Sequence, residues 1–313
     1  MTYIVPIKTQ KEVTYNNSVY TVSYFNNLIS TTAVDSVSTE WDSTISFAKD
    51  SYVKVSGLNR IYRLASTTSR NQYPPANPSV WIDYGATNTF KLFDDIIGSQ
   101  TEFVNTMTVV IDANRLNSLA FLNMENITSI RVLQEDIGLS ITLYDETFTL
   151  TDYGVLSLYD YWYLPTKIKR DLVVQGLQFS VDAKVTLEFI GSSDAKIGAV
   201  VSGMDDNIAV TLYGTRIDLK DYSKYVTDDY GNTFFSRRGY ARIITAQALI
   251  DTNTIDDTAD KLIGLRGGLT VFVGDEREGG YSSLTTLGYI ESVGFQIDNP
   301  SKIKFPIKII GVT

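Results

Sequence analysis

Four pairs of adjacent aspartates are the residues whose type and spacing come nearest to enzyme chemistry. Hydrolysis of a glycosidic bond needs two carboxyl groups that flank the bond. Neighbouring residues of a β-strand point to opposite faces, however, and aspartates are common in turns and at helix starts. A chain with 36 acidic residues also contains such doublets by chance. We therefore interpret all four as turn and cap residues: Asp94-Asp95, Asp205-Asp206, Asp228-Asp229 and Asp256-Asp257.

The chain contains no histidine and no cysteine. This excludes disulfides, thiolate nucleophiles, Cys/His zinc sites and Ser-His-Asp triads. The segment 251–256 begins like a calcium loop, but Ile255 stands where an oxygen ligand is needed. We expect a protein that is not an enzyme and that needs no cofactor and no metal.

The net charge of the chain is −9, from 36 acidic and 27 basic residues. A surface of this sign repels a phosphate backbone, so the counterion release that drives nucleic-acid binding is missing. No run reaches the roughly 18 apolar residues that a membrane helix needs. The segment 1–6 also lacks the basic and apolar regions of a signal peptide. We expect a soluble protein that neither binds nucleic acid nor inserts into a membrane.

The elements that must position these side chains are predicted to be mostly β-strands. Thr, Ser, Val, Ile, Tyr and Asn are abundant and only 7 residues are proline, which is typical of strands joined by polar turns. Short strands with turn residues between them, and no long amphipathic helix, predict a β-sandwich. The predicted strands are Thr106–Ile111, Ile127–Leu133, Leu139–Tyr144, Leu172–Val174, Lys184–Phe189 and Ile208–Tyr213.

One helix is predicted near the C-terminal end. Thr254 and Asp257 form a capping pattern, and Gly267 can end the helix. Strands at 269–273, 288–297 and 302–312 should pack under it as an α+β unit. Its apolar face would consist of Ile255, Ala259, Leu262 and Ile263.

Residues 35 to 82 carry regularly spaced aromatic side chains. Trp41, Phe47 and Val53 are each separated by five residues, and Trp81 ends the pattern after a proline-rich stretch. This spacing resembles the small chitin-binding module of carbohydrate-binding family 5/12. The resemblance implies that Trp41, Tyr62 and Trp81 form a stacking platform for sugar rings. A unit this small also needs aromatic rings for its core, and we favour that interpretation of the same residues.

The stretch 80–95 is predicted to join two packed units. Val80, Ile82 and Tyr84 alternate like a strand, and Gly85 and Asn88 then supply turn residues. The pattern W-x-D-x-G-x-T-N-x-x-x-x-F-D in this stretch is similar to one in bacteriophage virion proteins. In those proteins it closes a small aromatic module and opens a galactose-binding-like jelly roll. The resemblance continues beyond residue 214 in the segments 221–223, 229–232 and 237–239.

Two segments are predicted to contact other subunits. The strands within residues 1–34 are too short to form a core, so they either complete a sheet elsewhere or reach a neighbouring subunit. The segment 159–165 concentrates aromatic residues in a predicted loop, which packs either against another subunit or on its own sandwich. The candidate interface residues are Tyr3, Tyr20, Tyr24, Phe25, Tyr159, Tyr161, Trp162 and Tyr163.

Together these features predict a mainly β chain in four parts. The parts are N-terminal strands (1–34), a small aromatic β module (35–85), a jelly-roll β-sandwich (86–215) and a C-terminal α+β unit with one short helix (216–313). The resemblance implies a structural protein of a phage tail or baseplate, present in several copies, bound to other virion tail proteins and assembled in the host bacterial cytoplasm. An adsorption protein that binds a host surface glycan is the alternative, and a polysaccharide depolymerase is the third hypothesis.

Overall fold

The computed structural model describes residues 1–66, 68–69, 71–152, 157–163, 167–275, 277, 281–297 and 299–312. Strands account for 57% of the structure and helices for 9%, with large antiparallel sheets. The prediction of a mainly β fold is therefore confirmed.

The N-terminal part contains short strands and one 3-10 turn. The strands are β1 (Thr2–Pro6), β2 (Lys8–Tyr15), β3 (Ser18–Phe25), β4 (Leu28–Thr31), β5 (Phe47–Ala48), β6 (Tyr52–Val55), β7 (Arg60–Leu64), β8 (Thr68–Ser69) and β9 (Trp81–Ala86). The 3-10 turn is Pro74–Ala76.

The middle part follows a second 3-10 turn, Lys91–Phe93. Its strands are β10 (Thr101–Phe103), β11 (Thr106–Asp112), β12 (Ser118–Asp136), β13 (Ile141–Thr149), β14 (Thr151–Asp152), β15 (Lys167–Ile168), β16 (Leu172–Gln175) and β17 (Ala183–Asn207). Helix α1 (Leu158–Tyr163) lies where the sequence predicted a loop. Leu164 and Pro165 of that predicted loop lie outside the described residues.

The C-terminal part contains helix α2 (Ile255–Gly264) and 3-10 turns at Thr252–Thr254 and Ser282–Leu284. Its strands are β18 (Val210–Asp221), β19 (Lys224–Thr227), β20 (Thr233–Ser236), β21 (Tyr240–Asp251), β22 (Thr270–Val273), β23 (Thr285–Val293) and β24 (Lys302–Gly311).

One large antiparallel sheet runs through most of the chain. Its hydrogen-bonding order is β13-β12-β17-β1-β22-β23-β24-β21-β18. Strands β10 and β11 also pair with β17, β16 pairs with β12, and β4 pairs with β11. Two apolar cores lie against this sheet, one around β11, β12 and β17 and the other around β21, β24 and α2.

The two longest strands bend together. β12 and β17 pair along most of their length, with irregular register between Glu125 and Ser129. At this point a Cβ on Gly191 would lie 2.6 Å from the carbonyl oxygen of Asn126, so only glycine fits. A bulge bends a strand. As a result, one end of this pair is flanked by β11 and β13, and the other end by β1 and β16.

Strand β1 joins the two halves of the large sheet. Tyr3 pairs with Asp206 of β17 on one side and with Phe272 of β22 on the other. The N-terminal ammonium of Met1 donates a hydrogen bond to the carbonyl oxygen of Ala209, 2.5 Å away. The first strand thus completes a sheet within its own chain.

The small aromatic module has a separate sheet of β6, β7 and β9. The hairpin β2–β3 packs its Val13, Tyr15, Tyr20 and Val22 side chains against the core of this module. That core contains Phe47, Val53, Val55, Leu58, Tyr62, Leu64, Tyr73 and Trp81. The hairpin therefore covers a core that the module cannot close alone.

Helix α2 forms where the sequence predicts it. It begins directly after Thr254, and its buried positions are Thr258 and Leu262. Ile263 was predicted on the apolar face, but its side chain is exposed. The buried face of the helix contains Leu262, and Leu265 follows it directly after the helix. Both side chains pack in the core of the C-terminal strands. The position of the underlying sheet, rather than the periodicity alone, determines which side is covered.

Candidate assembly interface

The residues predicted to stack on sugar rings lie largely inside the small module. Trp81 is only 1% exposed, and its indole N–H donates a hydrogen bond to the carbonyl oxygen of Gln72 over 2.9 Å. Tyr62 is buried as well. Trp41 is half-buried, with Tyr73 against its ring at a centroid distance of 5.1 Å. The stacking platform is therefore wrong for Trp81 and Tyr62, because neither presents a ring face to solvent.

The aromatic residues of the N-terminal strands are also internal. Tyr3, Tyr24 and Phe25 are buried, so their assignment to a subunit interface is wrong. The hydroxyl of Tyr24 donates to the carbonyl oxygens of Leu58 and Asn59, at 2.8 and 3.1 Å. These contacts tie β3 to the small module. The physical reason is that this segment is too short to form a core of its own, so its side chains pack against the core of another part of the same chain.

Tyr20, the fourth candidate of that segment, is half-buried. Its ring lies against Tyr73 with a centroid distance of 5.5 Å. Burial raises the pKa of Tyr73 to about 12. The Tyr20 ring thus lies at the rim of an aromatic cluster, where it is partly exposed.

Helix α1 displays aromatic side chains to solvent. Tyr159, Trp162 and Tyr163 are exposed, and the rings of Tyr159 and Tyr163 stack with centroids 4.7 Å apart. The side chain of Tyr161 lies outside the described residues. A helix places residues four apart on the same face. The stacking of these two rings is therefore explained by the helix and not by the predicted loop. Contact of this helix with another subunit stays a prediction.

Among the described residues, the largest group of exposed aromatic side chains was not predicted from the sequence. It lies on a two-stranded ribbon, β19 paired with β20, which continues the β18–β21 pair outward. We call residues 222–239 the β-arm. Every residue of β19 and β20 is exposed. The large apolar side chains of the β-arm are Tyr222, Tyr225, Val226, Tyr230, Phe234 and Phe235.

The tip of the β-arm is a tight turn. The carboxylate of Asp228 accepts hydrogen bonds from the backbone N–H groups of Tyr230 and Asn232, at 3.0 and 2.8 Å. Hydrogen bonds from Asn232 lower the pKa of the Asp228 carboxyl group, and the hydrogen bond from Tyr230 lowers it to a smaller extent. Gly231 has φ of +85°, which glycine adopts without strain. These residue types specify a hairpin that reverses the chain at this point.

The base of the β-arm connects it to the large sheet. The β18–β21 pairing ends at Asp221 and Tyr240. Beyond it, Tyr222 N–H donates to the carbonyl oxygen of Gly239, and Arg238 N–H donates to the hydroxyl of Ser223 over 3.1 Å. The ribbon is therefore an extension of the sheet rather than a separate loop.

A two-stranded ribbon with both faces exposed lacks the burial that stabilises strands. Isolated hairpins are marginal in water. Contiguous exposed apolar surface usually marks a binding site, and aromatic residues are enriched in interfaces. The adjacent pair Phe234-Phe235 places one apolar ring on each face. That adjacency is the sequence signal that could have identified the ribbon.

The two carboxyl groups of the pair Asp94-Asp95 lie in different environments. Asp94 is buried whereas Asp95 is exposed, as expected for neighbours that point in different directions. Within the described ranges, no three acidic, histidine or cysteine side chains are grouped so that they could hold a metal ion. Also within these ranges, no helix has the length and apolar character to cross a membrane.

Asp94 has a raised pKa at the junction of the small module and the large sheet. Burial raises the pKa of its carboxyl group from 3.8 to about 7, although a hydrogen bond from Ile96 N–H opposes the shift. Between these values the folded chain binds more protons than the unfolded chain. The free energy of unfolding therefore falls as the pH rises through this window, and the loss is complete above pH 7.

We expect Asp94→Asn to stabilise the protein above pH 7, by up to about 4 kcal/mol. The amide oxygen can still accept the hydrogen bond from Ile96, and no charge is buried. Urea unfolding of both chains at pH 4 and pH 8 measures this difference. The exposed neighbour Asp95→Asn is the control and should change both values much less, because the Asp95 charge is only a minor cause of the raised pKa of Asp94. An equal pH dependence of wild type and Asp94→Asn would contradict the assignment of the buried charge.

Comparison of the chain with family models, with curated proteins and with solved structures found no match.

Proposed function

We propose that the protein is a non-enzymatic structural component of a bacteriophage tail or baseplate, present in several copies, and that the β-arm joins it to its neighbours. The observation that carries the assembly function is the exposed aromatic surface on both faces of β19 and β20. The virion assignment, the jelly roll and the sugar-module relationship rest on the resemblance of residues 41–95 and of the segments 221–223, 229–232 and 237–239. The mainly β fold supports them at the level of fold class.

The shape of the β-arm suits an assembly element. The ribbon leaves the large sheet at Asp221 and Tyr240 and pairs with no other strand among the described residues. A partner that covered Tyr225 and Phe235, whose rings touch at a centroid distance of 5.3 Å, would bury both at once. Such aromatic anchors often dominate the binding energy of an interface.

We expect replacement of residues 224–236 by an Asn-Gly turn to abolish self-association and incorporation into particles while the chain stays folded. The replaced strands bury no side chain, so the melting temperature should change little. Sedimentation velocity and thermal unfolding of the isolated chain measure the two effects. Self-association at the wild-type level would contradict the proposed role of the β-arm.

A double variant and a matched control distinguish a specific interface from nonspecific hydrophobic association. Phe234→Ser with Phe235→Ser removes two exposed apolar side chains from the β-arm. Ile137→Ser with Leu139→Ser removes two comparably exposed side chains from the turn after β12. Only the first pair should weaken association. Equal weakening by both pairs would indicate nonspecific hydrophobic contact instead.

A second candidate, an adsorption protein that binds host glycan, is favoured by a shallow groove on the small module. Tyr20, Pro74 and Pro78 line it beside the ion pair of Arg60 and Asp83, whose atoms lie 2.8 Å apart. An aromatic ring with nearby polar groups is the arrangement that sugars require. Glycan-array binding by the isolated chain, lost in Tyr20→Ala, would favour this function over assembly alone.

A further inference from the structure

A cavity of about 270 Å³ lies at the base of the β-arm. It is open to solvent on one side and is lined by β12, β23, the start of β21 and the loop before β16. Its apolar surface comes from Leu122, Leu287 and Val312, with the Tyr240 ring beside them. Four arginines from two segments, 170 and 237–242, line the cavity: Arg170, Arg237, Arg238 and Arg242.

Most of this positive charge has no ion-pair partner among the residues that the structure describes. Arg242 pairs with Asp171 at 3.3 Å and donates to the carbonyl oxygen of Thr285 at 2.6 Å. Arg170, Arg237 and Arg238 make no ion pair with any residue that the structure describes. Arg237 acts on Asp221 only at longer range, as the smallest of the causes that lower its pKa.

Arginine side chains that converge on one cavity repel one another, and a carboxylate relieves this repulsion by accepting paired N–H donors. The cavity also contains Glu125 and Asp171, so the four arginines outnumber its acids by two. A chain with net charge −9 has a surplus of acids, yet three of these arginines make no ion pair with a described residue. The cavity therefore fits a group that combines a carboxylate with an apolar or aromatic part.

The tip of the β-arm carries such a group. Asp228 is used by the turn itself, whereas Asp229 makes no ion pair with a described residue. Tyr230 beside it is 92% exposed. The paired strands β19 and β20 separate this tip from the cavity of its own chain. The tip and the cavity are thus complementary in charge and in apolar character, but each stands open within one chain.

We propose that Asp229 and Tyr230 of one copy dock into the arginine cavity of a neighbouring copy. This inference rests on the proposed assembly function and names the partner surface of the β-arm. The contact joins two different surfaces, so it is head-to-tail. Repeated contacts of that kind form a ring when the rotation closes and a filament when it does not.

Charge reversal tests this contact. Asp229→Arg should weaken self-association about tenfold or more, because an arginine is then placed among arginines. Arg237→Glu with Arg238→Glu should weaken it similarly. The three substitutions together should restore association, since the reversed charges attract again. All sites are exposed, and unchanged melting temperatures will show that folding is retained. Sedimentation velocity at increasing salt should show that wild-type association weakens.

The outcomes separate this contact from the proposed function. If the chain lacking residues 224–236 is monomeric but Asp229→Arg associates like wild type, the β-arm assembles through another contact and this inference fails. Failure of the triple variant to regain association also overturns it. If glucuronate binds the cavity of the wild-type monomer while Asp229→Arg leaves association intact, the cavity is a site for acidic sugars instead. A wild-type chain that stays monomeric overturns both the inference and the assembly function.

Discussion

Deletion of residues 1–6 is expected to unfold the large sheet. Strand β1 lies between β17 and β22, and its loss exposes the pairing edges of both. Loss of Ile4, which is 0% exposed, would leave a cavity in the core around β11, β12 and β17. Removal of one large buried aliphatic side chain alone costs about 2–5 kcal/mol, a large part of the stability of a typical domain. The loss of backbone pairing adds to this cost.

Neighbouring substitutions in β1 provide a matched control for the deletion. Ile4→Ser should lower the free energy of unfolding by at least about 2 kcal/mol. Val5, on the opposite face, is 45% exposed, so Val5→Ser should cost much less. Urea unfolding followed by circular dichroism measures both. A synthetic peptide of residues 1–7 should restore folding of the shortened chain by adding the missing strand. If the shortened chain melts at the wild-type temperature, β1 is not the central strand described above.

The sequence left two alternatives for the N-terminal segment, and the structure shows the first, in which β1 completes a sheet of its own chain. Its composition shows that residues 1–34 cannot fill a core, but not whether a neighbouring subunit or the same chain supplies one. The deciding contacts are distant in sequence: Asn26 donates to Val200 O at 2.8 Å, and Tyr3 pairs with Phe272. Propensity and periodicity describe local order only. The pairing of the first strand with β17 and β22 is therefore not predictable from propensity and periodicity.

Local features were predicted more successfully than surfaces. The strands Thr106–Ile111 and Leu172–Val174 and the helix after Thr254 formed within one or two residues of the expected bounds. Trp81 could be assigned to a core or to a sugar platform from the sequence, because both need a large flat ring. The β-arm was missed for a related reason. Strands with exposed aromatic rings have the same composition as strands that bury them, and the adjacency of Phe234 and Phe235 was the sequence signal that could have distinguished the two.

Trp81→Ala should unfold the small module while the large sheet persists. The indole lies in the core of the module, with the Phe47 ring at a centroid distance of 5.8 Å. Replacing a buried tryptophan by alanine costs about 3–5 kcal/mol, and here the hydrogen bond to Gln72 is lost as well. That loss is comparable to the whole stability of a unit with so small a core. The two cores against the large sheet do not contain Trp81 and should remain.

Limited proteolysis can locate this unfolding. Cleavage of Trp81→Ala should concentrate within residues 35–85, and cleavage of the large sheet should stay at the wild-type rate. Tyr84→Ala on the same strand is the control, because Tyr84 is 64% exposed and its ring contacts only the edge of Tyr52 among the described aromatic pairs. Trp81→Phe should have an intermediate effect, since it keeps part of the buried area but removes the N–H donor. Equal resistance of Trp81→Ala and Tyr84→Ala would mean that hairpin β2–β3 and the remaining rings close this core without the indole.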